Sequence, residues 1–381
     1  MGKKHLSGRN KSLILILAAT GSVVVIIVLF ELYARMTSPY IIRVNTPGVS
    51  GVYSQGDYSY YIDSVSGRRL IPNSNVIIKN HFRSGLDVPI NINSDGFRGS
   101  NIEKEKKGKR IIVLGDSITL ADDQPIDNTF VYKVESILKN KRDVQVINAG
   151  ADGIGTKDEI DILEQQGLKL KPDMVVVAFY LNDLNLPDRF AACLANPGFI
   201  RRNSVLAETI YRAYKKRQYE NNLQDYSVVE WTRFDPPPDI QTNREAFLRY
   251  AASAEKDWGV AWQPGKWRVI EEQFDRLNRL SREYDFQVVV VSFPVIFQTL
   301  TDYTEDYPQR NLETLSVKNR FFFHDLLPAF RENINSMPIF TDWCHLTTSG
   351  HDLVAKNISP FLEFVISSKD APPPEAFTGS R

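Results

Sequence analysis

Four short apolar runs constrain this chain most: IIVLG (111–115), VQVINAG (144–150), MVVVAFY (174–180) and QVVVVSFP (287–294). A strand that reads apolar at successive positions has no polar face to give to water, so both faces must be covered. Between the runs the rhythm changes. Phe130, Val131, Val134, Ile137 and Leu138, then Ile160, Leu163 and Leu168, recur at helical spacing. RFFFHD (320–325) reads as a fifth strand, and a last helix is expected over about 349–367. Buried strands alternating with amphipathic helices predict an α/β fold, a three-layer arrangement around a five-stranded, mainly parallel sheet. The 43% hydrophobic content is ordinary for a globular chain and sufficient for such a core.

The N-terminus follows different rules. Residues 1–11 carry Lys3, Lys4, Arg9 and Lys11 and no acid, and residues 12–30 carry no charge at all. Those uncharged residues span about 28 Å as a helix, close to the ~30 Å hydrocarbon layer of a bilayer. The run ends FELYARM, a poor cleavage site, and no cysteine follows it to carry a lipid. The reading is one uncleaved transmembrane anchor over 12–34. Four basic residues precede it, and Arg35 and Arg43 are the basic residues soon after it. That bias places residues 1–11 in the cytoplasm and the rest of the chain outside it.

Residues 39–103 read as a β-rich extension punctuated by Gly, Pro and Asn, as in RRLIPNSN and NINSDGFRG. KEKKGKR (104–110) reads as a solvated connector. The α/β domain then covers 104–368, interrupted by a long insertion over about 184–285 with helical segments and the breaker DPPPD. Residues 369–381 read as a disordered tail. Lys+Arg and Asp+Glu both total 46, a balance that leaves no electrostatic footprint for nucleic acid.

Four polar motifs follow successive strands. GDS puts Ser117 at the end of the first, where a hydroxyl can face a crevice or simply cap a helix. NAGADGIGT follows the second, its glycines able to expose backbone N–H groups, as in any tight turn. LND follows the third, with Asn182 either an amide donor or a turn former. DWCH closes the set: Asp342 and His345, three apart, suit a carboxylate that orients an imidazole base. His351, inside the last predicted helix, is expected to pack or cap. His324 adjoins Asp325, but neighbours along a strand point to opposite faces.

Each motif is weak alone; the ordered series Ser, Gly, Asn, Asp-x-x-His is not. It resembles the SGNH (GDSL-type) hydrolase family over roughly 110–366, and GRRLIPN and INSDGFRG resemble segments of membrane-anchored members. The resemblance implies a flavodoxin-like SGNH fold and a serine esterase. In it Ser117 is the nucleophile, His345 the general base and acid, and Asp342 the residue that orients His345. The amides of Ser117 and Gly153 and the Asn182 side chain would bind the oxyanion. One departure is Tyr180, where the family's third block often has Gly; a side chain there would narrow the pocket. No metal or cofactor is implied.

The chain has two cysteines, Cys193 and Cys344. In an oxidising compartment they are expected to form a disulfide at the rim of the site; two buried thiols are the alternative. The expected substrate is a short acyl ester, O-acetyl foremost, on a small molecule or a cell-surface polysaccharide. Acyl transfer, a lipase or thioesterase activity, and a non-catalytic assembly role stay open. Trp231, Trp258, Trp262 and Trp267 are either a sugar-stacking platform or the insertion's own core. Oligomeric state is not legible.

Overall fold

A computed structural model describes residues 8–37, 50–53, 61–64, 67–81, 83–184, 199–207, 209–211, 214 and 236–368. Its centre is a five-stranded, all-parallel sheet. The strands are β6 (Lys109–Gly115), β7 (Val144–Gly150), β8 (Met174–Tyr180), β9 (Gln287–Phe293) and β10 (Phe322–Asp325), in spatial order β10-β9-β8-β6-β7. β6 is first in sequence yet lies between β7 and β8, so the chain reverses its winding direction there. The carboxyl end of β6 is therefore the switch point at which open α/β sheets bind ligands. Gly115 pairs with both Gly150 and Ala178, which brings the loops after β6, β7 and β8 out along one edge.

The apolar runs form strands because they are covered on both faces: every residue of β8 is buried. The helices pack in two groups. One joins α3 (Phe130–Lys139) to α8 (Thr348–Ser367), tied by the ion pair Lys133–Asp352, while Arg142, just past α3, pairs with Glu363. The other, with α5 (Arg244–Ser253) intervening in the chain, joins α4 (Thr156–Ile162), α6 (Trp267–Tyr284) and α7 (Tyr307–Lys318), tied by Arg276–Asp161 and Lys318–Glu271. Helix α6 shows the cause. Trp267, Ile270, Phe274 and Leu277 fall on one stripe and are buried, and Asp285, left-handed at φ 54°, ends it. Truncating the fully buried Phe274 to Ala would cost about 3–5 kcal/mol.

The extension is β-rich as expected. Strands β1 (Ser50–Tyr53), β4 (Asn75–Ile78) and β5 (Val88–Asn91) make one small sheet, β2 (Tyr61–Ser64) and β3 (Gly67–Leu70) a hairpin. Its core of Leu70, Ile71, Val76, Ile78, Val88, Ile90 and Ile92 also takes in Leu120, from the helix that bears Ser117. Two residues read as connector behave otherwise: Lys109 and Arg110 open β6. Arg110 is buried because its guanidinium donates to the Glu103 and Leu170 carbonyls and to Gln145. At the other extreme α1 (Gly8–Thr37) carries an apolar span, Ile14–Thr37, whose most apolar 18-residue window has a mean hydropathy of 2.6 and no residue buried by protein. The expected tail, 369–381, lies outside the described residues.

Candidate active site

Ser117 begins a four-residue helix, α2 (Ser117–Leu120), directly after β6. Asp116 caps it by accepting from the Ile118 amide at 2.9 Å, which fixes the turn that lifts Ser117 above the sheet edge. Two further residues hold the turn. Asn148 donates to the Thr119 carbonyl at 2.7 Å. Arg98, from the GFRG segment of the extension, donates to the carbonyls of Leu120, Ala121 and Gln124. Gly150 is required by proximity, since a Cβ there would lie 2.4 Å from the Leu120 nitrogen.

His345 arrives from 228 residues away, and its Nε2 is 2.9 Å from Ser117 Oγ. Its Nδ1 is 2.7 Å from Asp342 Oδ2. The other Asp342 oxygen accepts from the backbone N–H groups of Cys344 and His345, at 2.9 and 2.8 Å. The carboxylate thus closes the DWCH turn on itself. A carboxylate accepts only, so Nδ1–H donates to Asp342 and Nε2 is left to accept from the serine hydroxyl. Burial opposes charge on Asp342, but the His345 hydrogen bond and its charge, with the two amides, outweigh it and hold this carboxyl well below the usual range. Burial likewise lowers His345, and the Asp342 hydrogen bond and charge reverse it, so the imidazole titrates above its ordinary value. Ser117 and His345 are each 8% exposed.

Gly153 and Asn182 leave the ends of β7 and β8, the two strands that flank β6. Gly153 is left-handed at φ +66°, a conformation an L side chain would strain. The Asn182 amide donates to the carboxylate of Asp257, and its carbonyl oxygen is buried without a hydrogen-bond partner among the described residues. Tyr180 does not line an opening: it is fully buried at the end of β8. Its amide donates to Asp183 at 2.9 Å.

Several residues of this region were not legible as such in the sequence. Asp257 comes from the insertion, and burial raises its carboxyl to about 6 against the lowering effect of the Asn182 hydrogen bond. Nothing in DWGVAW marks it, because its partner is 75 positions away in the chain. His81 and Arg83 come from the loop between β4 and β5. Arg83 donates to Asp122 at 2.5 Å, and its charge acts on His345. His81 Nε2 lies 3.7 Å from the same Asp122 oxygen, and burial holds its imidazole down at about 4. Arg98 and the GFRG phrase carried a signal, but not its meaning.

The other histidines lie apart. His351 is buried and accepts from the Phe130 amide at Nδ1. His324 pairs with Asn357 at 2.7 Å. Trp258 and Trp262 meet edge to face at 5.6 Å inside a cluster with Phe247, and Trp267 stacks on Phe179. Trp258 and Trp267 belong to the core and the partly buried Trp262 packs against it, which corrects the sugar-platform alternative for them; Trp231 lies outside the described residues. The expected Cys193–Cys344 disulfide is not seen. Cys344 is a free thiol, and Cys193 lies outside the described residues. The physical reason is burial: Cys344 is 4% exposed, belongs to the main core cluster and has its Sγ 3.4 Å from His345 Nδ1. Burial and the Asp342 charge raise its thiol well above the usual range. Asp342, Cys344 and His345 are also the one metal-ligand cluster among the described residues. Both imidazole nitrogens there are already in the hydrogen-bond chain.

No family model matches the chain, and no curated protein does. Solved structures do resemble it. An acetyl xylan esterase, AlAXEase, is 15% identical with a TM-score of 0.40 over 66% of this chain and 99% of that one. The acetylxylan esterase Axe2 from Geobacillus stearothermophilus is 16% identical, with a TM-score of 0.39 over 68% of this chain and 95% of that one.

Proposed function

We propose that this chain is a membrane-anchored serine ester hydrolase of the SGNH type. Its substrate class would be short acyl esters, O-acetyl foremost, on a carbohydrate outside the cytoplasm. One observation carries the reading: the unbroken hydrogen-bond chain Ser117–His345–Asp342 at the switch point of a parallel sheet.

In the proposed reaction His345 Nε2 takes the Ser117 proton as Oγ attacks the ester carbonyl. Asp342 stabilises the resulting imidazolium. The new oxyanion is met by the Ser117 and Gly153 amides and by the Asn182 side chain, which Asp257 orients. His345 then gives its proton to the leaving alkoxide, and a water, deprotonated by the same nitrogen, releases the acid. The location outside the cytoplasm is supported by the charge bias around α1 and by the α1 span itself. The carbohydrate ester is proposed from the motif resemblance together with that location.

The test compares the detergent-solubilised full-length protein with Ser117→Ala on p-nitrophenyl acetate and on acetylated polysaccharide. Wild type should release acetate, and the variant should lose about a thousandfold or more. Equal turnover by the two proteins would remove the serine mechanism. An inactive wild type that also fails to react with a serine-directed phosphonate would favour a non-catalytic role.

A further inference from the structure

Glu31 stands where the uncharged stretch of α1 ends, after about 28 Å of apolar helix, at the depth where hydrocarbon gives way to headgroups. A carboxylate at that depth needs partners, and here they come from the insertion. Glu31 accepts from the Ser204 hydroxyl at 2.7 Å and from the Val205 and Leu206 amides at 3.0 Å each. Arg35, one turn further on, donates to Glu31 at 2.7 Å and to the Asn203 carbonyl at 2.9 Å. Ala34 packs on Val205 and Leu206. The start of the insertion is therefore clamped to the last turns of α1.

The clamped segment presents large apolar side chains outward. Phe199 is 81% exposed, Ile200 72%, Ile210 60% and Tyr214 56%. Between residues 199 and 217 the sequence also holds six basic residues against one acid, Glu208. Apolar side chains in a sequence rich in basic residues are the composition of an interfacial segment. A purely aqueous surface would not gather such side chains.

We propose that residues 199–207, 209–211 and 214 belong to a membrane-surface segment whose Phe199, Ile200, Ile210 and Tyr214 enter the headgroup boundary of an anionic bilayer. The proposal rests on α1 spanning that bilayer. It gives the insertion a fixed height, so the loop that supplies Asp257 is tethered near the lipid surface at one of its ends.

The experiment uses the full chain in phosphatidylcholine–phosphatidylglycerol vesicles, in a Cys193→Ser background, with a fluorescent label on Ile210→Cys. Val25→Cys in α1 and Val317→Cys, an exposed position on α7, serve as references. Spin labels are placed on lipid at shallow or deep positions. The Ile210 label should be quenched about twofold or more by the shallow spin label, Val25 by the deep one and Val317 by neither. Quenching at Val25 with none at Ile210 would overturn this proposal and leave the anchor standing. No quenching at Val25 would overturn the anchor and the proposal together. Glu31→Ala should keep the Val25 signal and lose that of Ile210; an unchanged Ile210 signal would refute the clamp. Phosphatidylcholine alone should weaken the Ile210 signal, and equal signals in both vesicles would refute the preference for anionic lipid.

Discussion

Asp257→Ala tests whether the insertion tunes the chemistry or merely fills space. In the structure the Asp257 carboxylate accepts from the Asn182 amide. That bond uses one N–H, and in the proposed reaction the second meets the oxyanion. Losing an oxyanion donor outright costs about 3 kcal/mol, a hundredfold or more. Asp257→Ala leaves the donor in place and frees only its torsions, about 0.5–1.5 kcal/mol. The expected loss is thus about three- to tenfold in kcat, with KM little changed. Asp257→Asn keeps an acceptor and removes the charge, so it should recover most of kcat. It should also abolish any inflection near pH 6, where burial places the Asp257 carboxyl. The assay is p-nitrophenyl acetate hydrolysis from pH 5 to 9 in a double-mutant cycle with Asn182→Ala. If Asp257 acts through Asn182, adding Asp257→Ala to Asn182→Ala changes nothing further. A full additional three- to tenfold loss in the double variant would refute the positioning role.

Asp342→Asn keeps an oxygen for the Cys344 and His345 amides, so the fold should survive, but kcat should fall by about 10⁴ through the wrong imidazole tautomer. His345 must be neutral to act, and Asp342 raises its titration point, so wild-type kcat/KM should fall with acid below a midpoint above the ordinary histidine value. The residual activity of the variant should persist to lower pH; an unmoved acid limb would count against the pairing. Asp325 is pushed to about 7 by burial. Its proton is held more tightly folded than unfolded, so ionisation erodes stability as pH rises from about 4 to 7. Asp325→Asn should therefore stabilise the fold at pH 8 by about 2 kcal/mol after allowing for its partial exposure, read as a higher melting temperature in thermal denaturation, and leave stability unchanged at pH 4. Arg98→Ala leaves three carbonyls of the Ser117 turn without their charged donor. A loss of about 2–4 kcal/mol is expected by denaturant titration, together with lower kcat.

The sheet was legible because its strands are apolar on both faces, and no other arrangement hides runs such as MVVVAFY. The boundary of β6 was misplaced by two residues, since a buried Arg110 is tolerable only when three tertiary acceptors surround it. No local pattern encodes that. Asp342 and His345 were readable because their contact is three residues long. Asp257 and Arg83 were not, because their roles exist only after the insertion and the extension have folded onto the edge of β6. The cysteines were paired from a compartment argument alone; among the described residues Cys344 is a free, buried thiol, a burial no local pattern in DWCH announces.

The position of His345 near the end of the chain has a consequence for biogenesis. A polypeptide made from its amino end exposes Ser117 more than two hundred residues before its proton acceptor exists. Nascent or carboxyl-clipped chains thus carry an unreactive hydroxyl. On the proposed mechanism, activity therefore waits until the final stretch has docked and His345 has met Ser117.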